Sequence, residues 1–280
     1  MSSVSAASQA ASAELGRPAA LQSPPIARLL AGAHAMGRAE LQKLRHDYLD
    51  LITRSVQPLL WLFVFGTALR HNRALAAGTS DYRAYIAPGV MAQAALFISI
   101  FFGLAVIWER DIGQLQRLLA TPLPRTALVL GKAMGASVRA LVQATLLLIV
   151  LAITGIGLRW TVQGVIGSVA LLALGTGSFA CLSMMIASMV KTRERFMGIG
   201  QLIMMPLFFA SSALYPLSIM PGWLHVVARV NPLTYEVQGL RQMLLGVGGH
   251  GEVWLDFLVM VGFFVLTVFG ATKLYPRAIL

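Results

Sequence analysis

Along the chain, long apolar runs alternate with short polar punctuation, and the lengths of the runs set the architecture. Residues 1–25, rich in Ser, Ala, Gln and Pro, have no hydrophobic period and read as a disordered tail. From 26 to 54, Leu29, Leu30, Ala33, Met36, Leu41, Leu44, Leu49 and Leu51 alternate with Arg28, Arg38, Lys43, Arg45 and Arg54. That pattern predicts a basic amphipathic helix lying in a membrane interface, its cations near lipid phosphates. An apolar run over 55–69 follows. It is short of the roughly 20 residues a helix needs to cross a bilayer, so the span extends back towards Leu49, with Arg54 snorkelling. A polar connection over 70–83 leads to the next run, 85–108.

The second half repeats the alternation. A third run covers 137–158, and a turn at Arg159–Trp160 leads to a fourth over 162–190. The fourth run is rich in Gly and Ser, which let helices approach closely. After the basic loop 191–195, the apolar region 196–228 is too long for one crossing and is cut by Pro206, Pro216 and Pro221. It divides into a span over 197–214 and a segment over 215–241 that turns back within the membrane, where irregular backbone is tolerated if protein surrounds it. A last run occupies 253–274. The prediction is an all-α polytopic membrane protein with six transmembrane helices in 55–280, an N-terminal interface helix and an external re-entrant hairpin.

The densest charge in the middle of the chain lies between the second and third runs. Glu109, Arg110, Asp111, Arg117, Arg125 and Lys132 all fall within it. Residues 109–120 have the spacing of a short amphipathic helix, with Ile112, Leu115, Leu118 and Leu119 on one stripe. Pro122 and Pro124 stop it. A short charged helix hung between two spans is a handle for a partner outside the membrane.

Composition agrees with this reading: of 280 residues, 57% are hydrophobic and 12% charged, about half the charge of a soluble domain. The net charge of +11 needs no nucleic acid. With six spans, 16 of the 22 Lys and Arg fall on the side of the termini, which the positive-inside rule places in the cytoplasm.

Candidate chemistry is sparse. The single Cys181 permits no intrachain disulfide, and the five histidines are scattered without metal-ligand spacing. Ionisable residues are nearly absent from the predicted spans, so catalysis within the membrane is unsupported, and an ion-coupled carrier lacks the midplane acids such proteins use. The phosphate-binding pattern G-x-x-x-x-G-K-[ST] fails at both ends around Gly131-Lys132, where Thr126 and Ala133 stand. If ATP drives this chain, another chain binds it.

These features in this order resemble the type-2 ABC exporter permeases, the membrane subunits of drug, lipid and polysaccharide exporters. The resemblance is carried by E-R-x-x-G-x-L-x-x-L-L-A-T-P-L at 109–123, G-K at 131–132, F-x-x-S-x-x-x-Y-P-L-x-x-M-P at 208–221, N-P-L-T-Y at 231–235 and the final Arg241. It implies a half-transporter that pairs with a second permease copy, identical or similar, above two ABC ATPase subunits. No cofactor would be bound by this chain; ATP and Mg would sit on the ATPase. The resemblance further implies that Glu109, Arg110, Asp111, Gly113, Gln114 and Arg117 lie against the ATPase. Tyr215, Pro216, Asn231, Pro232 and Tyr235 would shape an external re-entrant gate. Phe97, Phe101, Phe102, Met204, Met205, Phe208 and Phe209 are candidates for a greasy pathway wall. The expected cargo is hydrophobic or amphipathic, drug-like or lipid-like. Alternatives are a polysaccharide or lipid-linked glycan and, from another class, a carrier or membrane enzyme working without an ATPase.

Overall fold

The computed structural model describes residues 31, 32, 34, 35, 38, 42, 48–69, 75, 79, 81–120, 123–247 and 252–275. The predicted tail, most of the interfacial helix over 26–54 and most of the connection over 70–83 lie outside the described residues. Among the described residues the fold is entirely helical: α1 (Tyr48–Ala68), α2 (Tyr82–Asp111), α3 (Gln114–Leu119), α4 (Arg125–Ile153), α5 (Val162–Met189), α6 (Arg193–Phe209), α7 (Gly222–Val230), α8 (Pro232–Leu245) and α9 (Val253–Leu274), with a 3-10 turn at Leu217–Ile219. By length and composition, α2, α4, α5 and α9 are long and apolar enough to cross a membrane.

The bundle is built on α2 against α5, the most extensive helix pairing in the fold. Small side chains make it possible. A Cβ added at Gly103 of α2 would lie 2.2 Å from Ser183 Oγ and 2.6 Å from the Ser183 carbonyl of α5, so the backbones meet where only glycine fits. The two helices are also tied by hydroxyls: Ser99 Oγ donates to the Thr176 carbonyl at 3.0 Å and Ser183 Oγ to the Ile100 carbonyl at 3.0 Å. Against α5 lie α4, α8 and α9, and Ser137 Oγ of α4 donates to the Ala173 carbonyl at 2.7 Å.

Three predicted boundaries move. The third apolar run is expected over 137–158, but α4 begins at Arg125 behind an extended Pro124, because Lys132 can be buried once it finds a carboxylate. The short helix expected over 109–120 is divided: α2 runs through Glu109–Asp111, and Gly113 at φ 71 turns the chain before six helical residues of α3. The fifth run is expected over 197–214, yet α6 stops at Phe209. Residues 210–214 instead fold against the start of α2, where a Cβ on Gly89 would meet the Ala213 carbonyl oxygen at 2.3 Å. The last run matches α9 at both ends.

Candidate functional site

The bundle has a charged end, where α2 finishes and α4 and α6 begin, and a hairpin end, where residues 210–247 cross its opposite face. At the charged end the last turn of α2 buries Glu109, half-buries Arg110 and leaves Asp111 exposed. Both Glu109 oxygens accept from Lys132 Nζ at 2.7 Å, and Lys132 is 1% exposed. Glu109 thus faces α4 rather than solvent. A buried charge needs a bonded partner, and α4 supplies one. Arg110 also turns in: its guanidinium donates to the Val190 carbonyl at 3.0 Å and the Lys191 carbonyl at 2.6 Å, the end of α5. Asp111 accepts from Arg193, Nε at 3.0 Å and Nη2 at 2.8 Å, and the Arg193 guanidinium lies 3.9 Å over the Trp108 ring.

Just beyond this knot the chain is open, and Ile112, expected on the apolar stripe with Leu115, faces outward. Ile112 is 66% exposed, Gln114 and Arg117 are exposed, and half-buried Gly113 makes the turn. Leu115 is fully buried, packed among Val106, Ile107, Leu128 and Phe196, and so anchors α3 while its polar face stays open. Gly32 packs nearby, a Cβ there meeting Leu123 at 3.0 Å and Ala127 at 3.1 Å, which brings the N-terminal segment beside the exit of α3.

The candidate wall residues divide between two adjoining clefts, with one outlier. Phe97 and Phe101 line a cleft of about 180 Å³ with Arg54, Gln57 and Gln143. Phe97 also borders a second, smaller cleft with Met204, Met205, Phe208, Phe209 and Trp61. Trp61 is the aromatic hub of that cleft, stacked on Phe65 at 4.6 Å and edge-on to Phe208 and Phe209. Phe102 lines neither; it is buried beneath Arg139. Sequence reasoning missed Arg54, which stands 3.6 Å over the Phe101 ring, together with Gln57 and Trp61. Their α1 reads as a simple anchor until α2 is laid beside it.

The hairpin end is built on Asn231. Its Oδ1 accepts the Leu233 N–H at 3.0 Å, capping α8 with Pro232 at the first helical position. Its Nδ2 donates to the Leu207 carbonyl of α6 at 2.6 Å. Tyr235 donates to the Arg229 carbonyl at 2.7 Å and Tyr215 to the Phe209 carbonyl; Pro216 is buried beside them. The segment is pinned to α2: Tyr82 OH donates to the Leu214 carbonyl at 2.7 Å, and buried Arg241 donates to the Ser212 carbonyl at 2.8 Å while lying 3.8 Å over the Tyr85 ring.

Two buried acids emerge here: Glu236, missed in the sequence, and Asp256, expected at the external end of the last run. Glu236 and Asp256 are both 0% exposed, and none of their four carboxyl oxygens has a hydrogen-bond partner among the described residues. Glu236 lies against Gly175, where an added Cβ would come within 2.3 Å of its carboxyl carbon. Gly175 is midway along α5, so Glu236 sits about 20 Å from either end of that helix. Asp256 is beside Gly239, one turn along α8. The expectation that ionisable groups are absent at mid-depth is corrected. Glu236 escaped notice because its stretch, PLTYEVQGLR, is too mixed in polarity to read as bundle interior.

Comparison with known proteins closes the description. The model of the family described as ABC-2 type transporter matches residues 33–245, and the chain belongs to that family, the type-2 ABC permeases. It is 29% identical over 201 residues to a putative transport permease, ycf38, of Cyanophora paradoxa, covering 71% of this chain and 69% of the relative. It is 23% identical over 222 residues to the daunorubicin resistance ABC transporter permease protein DrrB1 of Streptomyces coeruleorubidus, covering 79% and 78%. With nodulation protein J of Rhizobium meliloti the identity is 27% over 234 residues, covering 81% and 87%.

Proposed function

We propose that this member of the ABC-2 type transporter family is the membrane half of an exporter for a hydrophobic or amphipathic molecule, driven by a separate ATPase that docks on the charged end. The observation that carries the reading is the build of that end. A six-residue helix with an open polar face hangs from the rigid end of α2, anchored by Leu115. Such a part passes a push on its surface into the helices tied to it. Ile112, Gly113, Gln114 and Arg117 form the contact surface, while Glu109, Arg110 and Asp111 keep it rigid. ATP and Mg belong to the ATPase.

In the membrane, α1, α2, α4, α5, α6 and α9 are the six crossings, and α7–α8 enter and leave on the external side. The charged end and both termini face the cytoplasm, since basic residues gather there; the membrane is the cytoplasmic one. A second copy, or a similar chain, faces the α1–α2–α6 clefts and completes the pathway. Their aromatic and thioether lining suits a lipid-like or drug-like cargo, and the name of one relative, a daunorubicin resistance permease, points the same way.

The test is purification of the tagged permease from native membranes in mild detergent, then reconstitution. A P-loop ATPase recovered near one-to-one, and ATP-dependent export of a lipid-like dye, are expected. Ile112→Asp is expected to lose the ATPase. A second reading, an ion-coupled carrier, is favoured by Glu236 alone. Transport that persists without any ATPase and collapses with a protonophore would select it.

A further inference from the structure

We propose that α6 is a connecting rod between the two ends of the bundle, and that Asp111 and Arg110 are positioning residues handing it the movement of the docked ATPase. The inference rests on the docking reading above. Its first ground is how α6 is held. Along its length α6 is packed sparsely, chiefly against α2 and α5. Met197, Leu202, Met205 and Phe209 are exposed, and a Cβ at Gly198 would meet nothing within 4 Å. Within this chain α6 has few buried contacts to lose on shifting, and its exposed face is the one turned to the proposed second copy. At its two ends, by contrast, it is tied by polar bonds.

The lower tie joins it to the docking surface. Asp111 holds Arg193, the first residue of α6, through two guanidinium nitrogens, and Trp108 receives the same guanidinium on its ring face. Arg110 grips the carbonyls of Val190 and Lys191 immediately before α6. Charge-assisted forks of this kind are directional as well as strong. Gly113 and α3 follow directly in the chain, so a displacement of the docking surface reaches Arg193 without passing through the α2–α5 core.

The upper tie joins α6 to the hairpin. Asn231 donates to the Leu207 carbonyl at 2.6 Å, two residues before α6 ends at Phe209. Leu207 is 14 residues above Arg193, about 21 Å along a helix. A tilt or slide imposed at Arg193 therefore moves the tip of the hairpin. Asn231 does two separable jobs, since Oδ1 caps α8 and Nδ2 holds α6.

The experiment uses the full permease with its ATPase in lipid nanodiscs and proteoliposomes. A thiol-reactive environment-sensitive dye is placed on α7 by Val230→Cys, a position 80% exposed. Arg193→Gln weakens the lower tie. Asn231→Asp keeps the capping oxygen and removes the donor of the upper one. Both variants are expected to retain the ATPase and its hydrolysis rate. Molecules exported per ATP should fall about tenfold, and the dye should stop responding to ATP. The charge swap Asp111→Arg with Arg193→Asp restores the lower ion pair and should regain export and the dye response. The inference is overturned if either single variant keeps its ATP-driven dye response and exports within about twofold of the parent, or if the folded swap stays uncoupled. Loss of the ATPase from the parent itself would overturn the docking reading instead.

Discussion

At the charged end, Glu109 is buried and gives both oxygens to Lys132 at 2.7 Å; in the hairpin, Glu236 is buried more deeply and meets no donor among the described residues. Both carboxyls sit on helices of one bundle, yet their surroundings differ in kind. Around Glu109 every charge of the last α2 turn is matched: Arg110 by two carbonyls, Asp111 by Arg193. Asp256, beside Gly239 one turn along α8, is unmatched as well, and Arg241 is spent on Ser212 and Tyr85. A matched cluster has one good arrangement and resists change. An unmatched one gains from any rearrangement that brings water, a cation or a donor to it. On the proposed reading the matched end is the handle and the unmatched end is the part that moves.

The contrast breaks most visibly at Lys132. Lys132→Met takes from the buried Glu109 carboxylate the Nζ that both its oxygens accept from, which should cost about 3–5 kcal/mol, read as a lower unfolding midpoint in detergent. Glu109→Leu with Lys132→Met should recover most of that loss, since a packed apolar pair substitutes well for a buried ion pair. A double variant no better than the single would show that the pair has unseen neighbours.

At Glu236 the sign reverses. Glu236→Met removes an unsatisfied buried carboxyl from a site of similar volume and should raise stability by about 1–3 kcal/mol, while export falls because the hairpin loses its reason to move. A variant that is less stable than the parent would mean that Glu236 has a partner in the folded protein, and the contrast between the two ends would collapse.

The sequence made one side of this contrast more legible than the other. Hydropathy locates the helices well: α5 and α9 fall within a residue of the expected runs, because uninterrupted apolar length is a property of one segment alone. The placement of Glu109 and Lys132 is a property of two segments. They are 23 residues apart, and in a one-dimensional reading both are loop charges. Only the early start of α4 at Arg125 brings Lys132 to the end of α2. Glu236 was hidden for the same reason, since its setting depends on Gly175 and Gly239 being small where α8 meets α5 and α9. Asn231-Pro232 was readable as a cap because that is local chemistry; its bond to Leu207 was not.

Asn231→Ala sharpens the contrast at intermediate size. It removes the cap of α8 and the bond to α6 together, and should cost about 1–2 kcal/mol, less than Lys132→Met although both residues are buried. Asn231→Asp, which keeps the cap, should recover most of this in stability. The hairpin is thus expected to be held by modest bonds that can be exchanged.

The smallest expected effect asks whether the two ends are linked through the core. Ser99 lies near the middle of α2 and donates to Thr176 on α5 at 3.0 Å, with the Ala95 carbonyl as a second acceptor at 2.8 Å. Ser99→Ala should cost only about 0.6 kcal/mol, the usual worth of an interhelical hydrogen bond in a membrane bundle. Combined with Lys132→Met or with Glu236→Met, it should add to within about 0.5 kcal/mol, as independent sites do. Additivity in both cycles means that α2 and α5 act as a passive frame, leaving α6 as the moving link. A larger interaction term in either cycle would place the core itself on the route between the handle and the hairpin. In that case α2, tied at one end to Lys132 and at the other to Leu214 and Arg241, would be the element to follow next by hydrogen exchange.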